Sequence, residues 1–191
     1  MITSNKGNQP VEETILLPIK IERRGVVYQD QYKKIERIEA LFDSFSKEYF
    51  VSDSGKKAAV LVIRNDEVLL TRQYRLLLNG LSYEIPGGKV NEYEDAKDAA
   101  VRECLEETEV RCSNLKPLIC FNPDLDCSKN YTQVFFTKET EEITKDAAQR
   151  AWIPYNECIE MIFAEKISDS LSVIAILAYF TMMKKERCKT L

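Results

Sequence analysis

The longest clear alternation of apolar and polar character lies in the middle of the chain. "AAVLVI" and "EVLLTRQY" are apolar, β-rich runs separated by "RND", which predicts a hairpin. "LLLNGLSYEIPGG" follows, with a turn at Gly80, a short strand over Ser82 to Ile85 and a Pro-Gly-Gly break. From Asp95 to Thr108 the pattern changes. Alanine and glutamate dominate, Gly and Pro are absent, and a helix is predicted with Ala96, Ala99, Ala100, Cys104 and Leu105 on its packed side. "LKPLICF" and "TQVFFTKE" read as strands joined by the loop "NPDLDCSKNY". A polar loop, "ETEEITKDAAQ", then precedes a short strand "RAWIP". Two helices close the chain, "YNECIEMIFAEK" and "SDSLSVIAILAYFTMMKKERC", the second capped by Ser168 or Asp169.

The N-terminal part is less regular. Residues 1–13 read as a flexible lead-in, and "TILLPIKIERRGVVYQ" as one or two strands. "YKKIERIEALFDSF" fits two periods. Tyr32, Ile35, Ile38, Leu41, Phe42 and Phe45 have helical spacing, yet "DSFS" reads equally as a hairpin turn between strands. Strands with one central and two terminal helices predict an α/β fold, a mixed sheet covered on both faces.

Composition narrows the chemistry. The 191 residues predict one domain, or one with a small appendage. Twenty-seven basic against 31 acidic side chains give a net charge of −4, which argues against nucleic acid as a partner. Leu171 to Met183 is too short to span a bilayer, so a buried helix is expected and no membrane partner. Six cysteines without a Cys-x-x-Cys pair, and no histidine, disfavour zinc. The polar first residues carry no signal-peptide core, so reduced thiols in the cytoplasm are expected. Without histidine, proton transfer falls to carboxylates, other side chains or metal-bound water.

"RECLEETEV", residues 102 to 110, holds the most specific signal. Glu103, Glu106 and Glu107 project from one helical face, and Arg102 can pair with Glu106. They crowd the helix C-terminus, where the dipole disfavours negative charge. A solvated acidic face is the common fate of such a run. A cluster of oxygen ligands there would suit magnesium or manganese.

The wider spacing is G-x5-E-x7-R-E-U-x-E-E-x-x-U, running from Gly88 through Glu94, Arg102 and Glu103 to Val110. It resembles the Nudix box. Its one departure is Glu109, where the box has its second glycine. "RQYR" and "EIPGG" upstream look like the ADP-ribose pyrophosphatase subfamily. The resemblance implies the Nudix fold, a mixed β-sheet sandwiched between helices, with an N-terminal β-meander; it moves the ambiguous segment towards strands. It implies a domain at residues 57–191 and a meander at 14–56 that serves as a dimerisation element. It implies Mg2+ (Mn2+ as an alternative) held by Gly87, Glu103, Glu106 and Glu107, with Arg102 and Glu94 in support. Arg75 would contact phosphate, and Glu84 substrate or metal. Glu106, Glu107, Arg102 and Glu142 form the implied catalytic set, Glu142 standing for a base left open among Glu141, Glu142 and Asp146.

The implied activity is Mg-dependent hydrolysis of a nucleoside diphosphate sugar, ADP-ribose to AMP and ribose 5-phosphate, by a homodimer. Hydrolysis of another nucleotide sugar such as GDP-mannose, and a non-catalytic nucleotide-binding Nudix module, are the alternatives. Pro123 sits in a loop where ADP-ribose hydrolases often carry S-P-G with a nearby glutamate. Here Asp124 and Asn130 stand instead, which weakens ADP-ribose specifically.

Overall fold

A computed structural model describes residues 15–144 and 147–189, with side chains to Lys185. The expected lead-in at residues 1–13, and Asp146, lie outside the described residues. Three strands open the chain: β1 (Lys20–Gln29), β2 (Lys34–Leu41) and β3 (Ser46–Asp53). They pair antiparallel in sequence order, a meander. The ambiguous segment is therefore β2, not a helix. Its turn to β3 is closed by the Phe42 N–H on the Phe45 carbonyl at 2.8 Å, with the two rings stacked 4.5 Å apart.

The main sheet follows. β4 (Lys57–Arg64) and β5 (Glu67–Arg75) are the predicted hairpin, and β6 (Gly80–Glu84) returns along β5. The Pro-Gly-Gly break does more than turn the chain: β7 (Gly87–Lys89) pairs with β4. β8 (Val110–Ser113), β9 (Lys116–Phe121), β10 (Thr132–Thr137), β11 (Glu139–Glu142) and β12 (Arg150–Pro154) complete the strands. The sheet path is β12-β5-β4-β10-β9, parallel between β4 and β10 and antiparallel elsewhere, hence mixed. β11 corrects the expected polar loop. Its Glu139 to Glu142 pair with β8, because alternate residues can point outward while the backbone is still satisfied by a neighbour.

β4 is buried along nearly its whole length, as a strand covered on both faces must be. On one face Ala58, Val60, Val62 and Leu69 pack under α1 (Ala96–Thr108) with Ala99, Ala100 and Cys104. On the other, Ala59, Leu61, Ile63, Val68 and Leu70 meet α2 (Tyr155–Phe163) and α3 (Ser170–Lys189) through Cys158, Met161, Ala175 and Ile176. The layers are α/β/α, as the sequence implied. Asp169 caps α3 by accepting from the Ser172 N–H at 2.9 Å. No described helix is long and apolar enough to cross a membrane.

Candidate active site

α1 sets the geometry. Asp95 is its N-cap and accepts from the Lys97 N–H at 2.8 Å, satisfying a first-turn donor. Packing of Ala99, Ala100 and Cys104 on the sheet leaves Arg102, Glu103, Glu106 and Glu107 on the remaining surface. The helix ends at Glu109, in the left-handed region at φ 57°, ψ 28°, with its N–H on the Leu105 carbonyl. The chain thus makes the turn that a glycine would make, with a side chain in place.

Arg102 is the hub of the face. Its Nε and Nη2 donate to the two oxygens of Glu94 at 2.8 and 3.0 Å. Its Nη1 donates to Glu103 at 2.8 Å and to Glu106 at 3.2 Å, and Nη2 also reaches the Lys89 carbonyl at 3.0 Å. One planar fork therefore fixes three carboxylates, which a lysine could not do. The Arg102 hydrogen bonds hold the Glu94 carboxyl down at about 2.

Glu107 is treated differently. The Gly87 N–H donates to one of its oxygens at 3.1 Å and the Gln73 side-chain amide to the other at 2.5 Å. Burial pushes its carboxyl above the usual range. The Gly87 and Gln73 donors pull it back, and the neighbouring Glu103 and Glu84 charges push it further up. Gln73, on β5, carried no signal in the box spacing. It stands between Arg72 and Tyr74 in "RQYR", and only the fold brings it to a residue 34 positions away.

Both box-entry glycines have steric reasons. A Cβ on Gly88 would collide with the Glu103 carboxylate. On Gly87 it would stand 2.8 Å from the Ala58 carbonyl oxygen and overlap Ala59. β7 can lie against β4, and under Glu103, only without side chains there.

Arg75 and Glu84 form a two-point pair across β5 and β6. Nε donates at 2.7 Å and Nη2 closes the second bond. Burial raises the Glu84 carboxyl, but bonds from Arg75 and Ser82 outweigh it and the net direction is down. Gln73 and Arg75 alternate with Arg72 and Tyr74 along β5, so they share the side of the sheet that faces Glu107.

Glu142 is drawn elsewhere. Its Oε1 accepts from Arg64 and from the Trp152 indole, both at 2.8 Å, and Arg64 stacks on the Trp152 ring at 3.9 Å. Burial opposes its ionisation, and the Trp152 and Arg64 bonds reverse that and lower its pKa. Arg64 and Trp152 belong to β4 and β12, while Arg150, 3.9 Å from the other Glu142 oxygen, also donates to the Thr108 carbonyl at the end of α1. Glu141 is exposed and meets Arg111 at 3.3 Å.

Among the described residues, no three Asp, Glu, Cys or His side chains converge closely enough to hold a cation as they stand. The donor chemistry nevertheless suits one. Glu103, Glu106 and Glu107 offer only oxygen, as hard cations require, and the bare backbone at Gly88 makes room for Glu103.

Residues 54–171 match the family described as NUDIX domain. The chain is 25% identical over 150 residues to a methanol dehydrogenase activator of Bacillus methanolicus, covering 75% of this chain and 81% of that protein. It is 25% identical over 137 residues to a CMP-5'-(N-acetyl-N-hydroxy-3-aminopropyl)phosphonate hydrolase of Streptomyces rubellomurinus, covering 68% and 66%. It is 22% identical over 149 residues to an ADP-ribose pyrophosphatase of Bacillus subtilis, covering 74% and 80%. A solved structure described as an ADP compounds hydrolase superposes with a TM-score of 0.72 at 14% identity, over 90% of this chain and 95% of that one. With Arg102, Glu103, Glu106 and Glu107 gathered on α1 and the family match spanning the main sheet, the chain belongs to the NUDIX family and is a Nudix pyrophosphohydrolase.

Proposed function

We propose that the protein cleaves the pyrophosphate bond of a nucleoside diphosphate sugar, with ADP-ribose yielding AMP and ribose 5-phosphate. The observation that carries this reading is the complete set of box carboxylates, Glu103, Glu106 and Glu107 on one face of α1 and Glu94 just before the helix, three organised by Arg102 and one by neutral donors. A module that only bound nucleotide would have no use for that set. Two relatives, one named an ADP-ribose pyrophosphatase and the other a hydrolase of a CMP-linked phosphonate, support a substrate in which a nucleotide is joined to a second moiety.

The residues divide the work. Glu103 and Glu107, with Glu106 and the Gly87 carbonyl, would hold Mg2+, for which Mn2+ could substitute. That cation, when bound, polarises phosphate oxygens and lowers the pKa of water. Arg102 keeps Glu103 and Glu106 oriented, and Glu94 keeps Arg102 in place. Arg75 spends Nε and Nη2 on Glu84, which leaves Nη1 for a phosphate oxygen. Glu84, by fixing Arg75, positions that contact.

Residues 14–56 we assign to dimerisation, and 57–191 to the catalytic domain. Among the described residues β1 is an edge strand, its outer backbone unpaired beside Ile21, Val26, Val27 and Tyr28, all about half exposed or more. Pairing with a second copy would cover it. Sedimentation should then give twice the 22.1 kDa chain mass; a monomer at micromolar concentration would overturn the assignment. The cysteines with described side chains are all unpaired, in keeping with a cytoplasmic setting.

The activity is tested with Mg2+ and a panel of ADP-ribose, GDP-mannose, dinucleoside polyphosphates and nucleoside triphosphates. AMP and ribose 5-phosphate should appear from ADP-ribose, and Glu107→Gln should abolish the turnover. Absence of metal-dependent turnover of any panel member would overturn the reading, and preferential cleavage of GDP-mannose would move the substrate.

A further inference from the structure

We propose that Gln73 is a positioning residue for the divalent cation, acting through Glu107. This rests on the reading of Glu107 as a cation ligand.

The carboxylates of the site differ in what they are bound to. Glu94, Glu103 and Glu106 all meet a guanidinium. Among the described residues, Glu107 meets no cation in its hydrogen bonds. Its two donors are the Gly87 N–H and the Gln73 amide, both neutral. Each oxygen of Glu107 thus accepts one bond, which fixes the carboxylate plane, and each keeps lone-pair capacity for a metal. A lysine or arginine at the same place would orient Glu107 equally well, but it would neutralise the charge and repel an incoming cation. A neutral amide holds the group without competing for it. Outer-shell donors of this type orient ligands and set their affinity.

The placement is also one the backbone enforces. Gln73 lies in the middle of β5, paired with Ser82 of β6. Gly87 lies in β7, pinned to β4 beside Ala58 and Ala59. Glu107 is consequently tied to two strands of the main sheet, whereas Glu106 is more than half exposed and, among the described residues, tied to Arg102 on its own helix. Of the three proposed ligands Glu103, Glu106 and Glu107, it is Glu107 whose carboxylate is bonded to strands of the main sheet before a cation arrives.

The test uses Gln73→Met, which keeps the volume and removes the donor, and Gln73→Lys, which replaces a neutral donor with a cation. Mn2+ binding is measured by electron paramagnetic resonance without substrate. The Mg2+ dependence of ADP-ribose turnover is measured in parallel, and thermal midpoints are taken in chelator. Gln73→Met should weaken Mn2+ binding by about tenfold or more, the usual effect of losing an outer-shell partner. It should raise the Mg2+ concentration for half-maximal turnover while leaving KM for ADP-ribose at saturating Mg2+ unchanged. Gln73→Lys should weaken Mn2+ binding further. Wild-type Mn2+ affinity in Gln73→Met, with or without a lowered midpoint, would overturn the proposal. A wild-type protein that binds no Mn2+ would overturn it together with the cation reading. Weakened Mn2+ binding in a protein that leaves ADP-ribose intact would sink the substrate and keep the role of Gln73.

Discussion

Glu109 holds a left-handed backbone, and a side chain there costs about 1 kcal/mol relative to glycine. It also adds a carboxylate at the negative end of the helix dipole. Its compensation is a bond from the Thr144 hydroxyl at an exposed site. Glu109→Gly removes the strain and the charge but gives the unfolded chain more freedom, so a net gain of roughly 0.5 kcal/mol is expected. Urea unfolding should show the shift, with Mg2+-dependent turnover unaltered. The sequence made this position visible, since one residue broke an otherwise unbroken pattern. It made Glu142 visible only as a carboxylate in a polar stretch. As a loop carboxylate Glu142 suited a base, but its partners Arg64 and Trp152 come from strands that only the fold brings beside β11. Glu142→Gln should therefore act on stability, costing about 1–2 kcal/mol from weakened charged hydrogen bonds, and lower kcat by less than about tenfold. A fall of about a thousandfold with unchanged stability would instead assign it as the base. Gln73 was silent for the same reason: spacing reports neighbours on one helix, and its partner lies across two elements.

At the scale of elements, the two glycines of β7 should separate fold from site. A methyl on Gly87 meets backbone, the Ala58 carbonyl and Ala59, which cannot move without parting β7 from β4. Gly87→Ala should cost about 1–3 kcal/mol, the usual penalty of overpacking, measured by denaturant midpoint. The atoms nearest a methyl on Gly88 are those at the end of a flexible side chain, the Glu103 carboxylate. Gly88→Ala should leave the midpoint nearly unchanged and weaken divalent-cation binding in calorimetry, because Glu103 must swing away. What was legible here followed periodicity. The β4–β5 hairpin and α1 have unbroken patterns and emerged where expected. β7 and β11 did not, being three and four residues long and stabilised by backbone pairing that composition does not record. β2 misled through its isoleucines. Its two buried positions are Glu36 and Ala40, not Ile35 or Ile38, so the apolar spacing was not that of the buried face.

Over the whole molecule, two kinds of link decide how stability responds to solution conditions. The first is the carboxylate face, where Glu103, Glu106 and Glu107 crowd a helix end. A cation bound only by the folded state adds about 2.7 kcal/mol at a hundred times its dissociation constant, so Mg2+ should raise the thermal midpoint and Glu107→Gln should blunt the rise. The second joins the meander to the loop between β9 and β10, a connection for which the sequence offered only a boundary near residue 56. Ser52 of β3 exchanges backbone bonds with Cys127 and Lys129 at 2.8 and 2.9 Å, and Glu36 of β2 receives the Lys129 ammonium at 2.5 Å. Hydrogen bonds from Lys129 and then Lys34 hold the Glu36 carboxyl at about 2, against the ordinary 4.5. A folded-state pKa below the unfolded one means that the unfolded chain binds the proton first as acid is added. The contribution of Glu36 is therefore complete above about pH 4.5 and lost as pH falls towards about 2. Glu36→Gln should be less stable than wild type at neutral pH, with the gap closing across that window. Denaturant midpoints of the two proteins at intervals from pH 7 to pH 2 would show it, and a gap that stayed constant to pH 2 would mean that the Glu36 charge does not hold the meander in place.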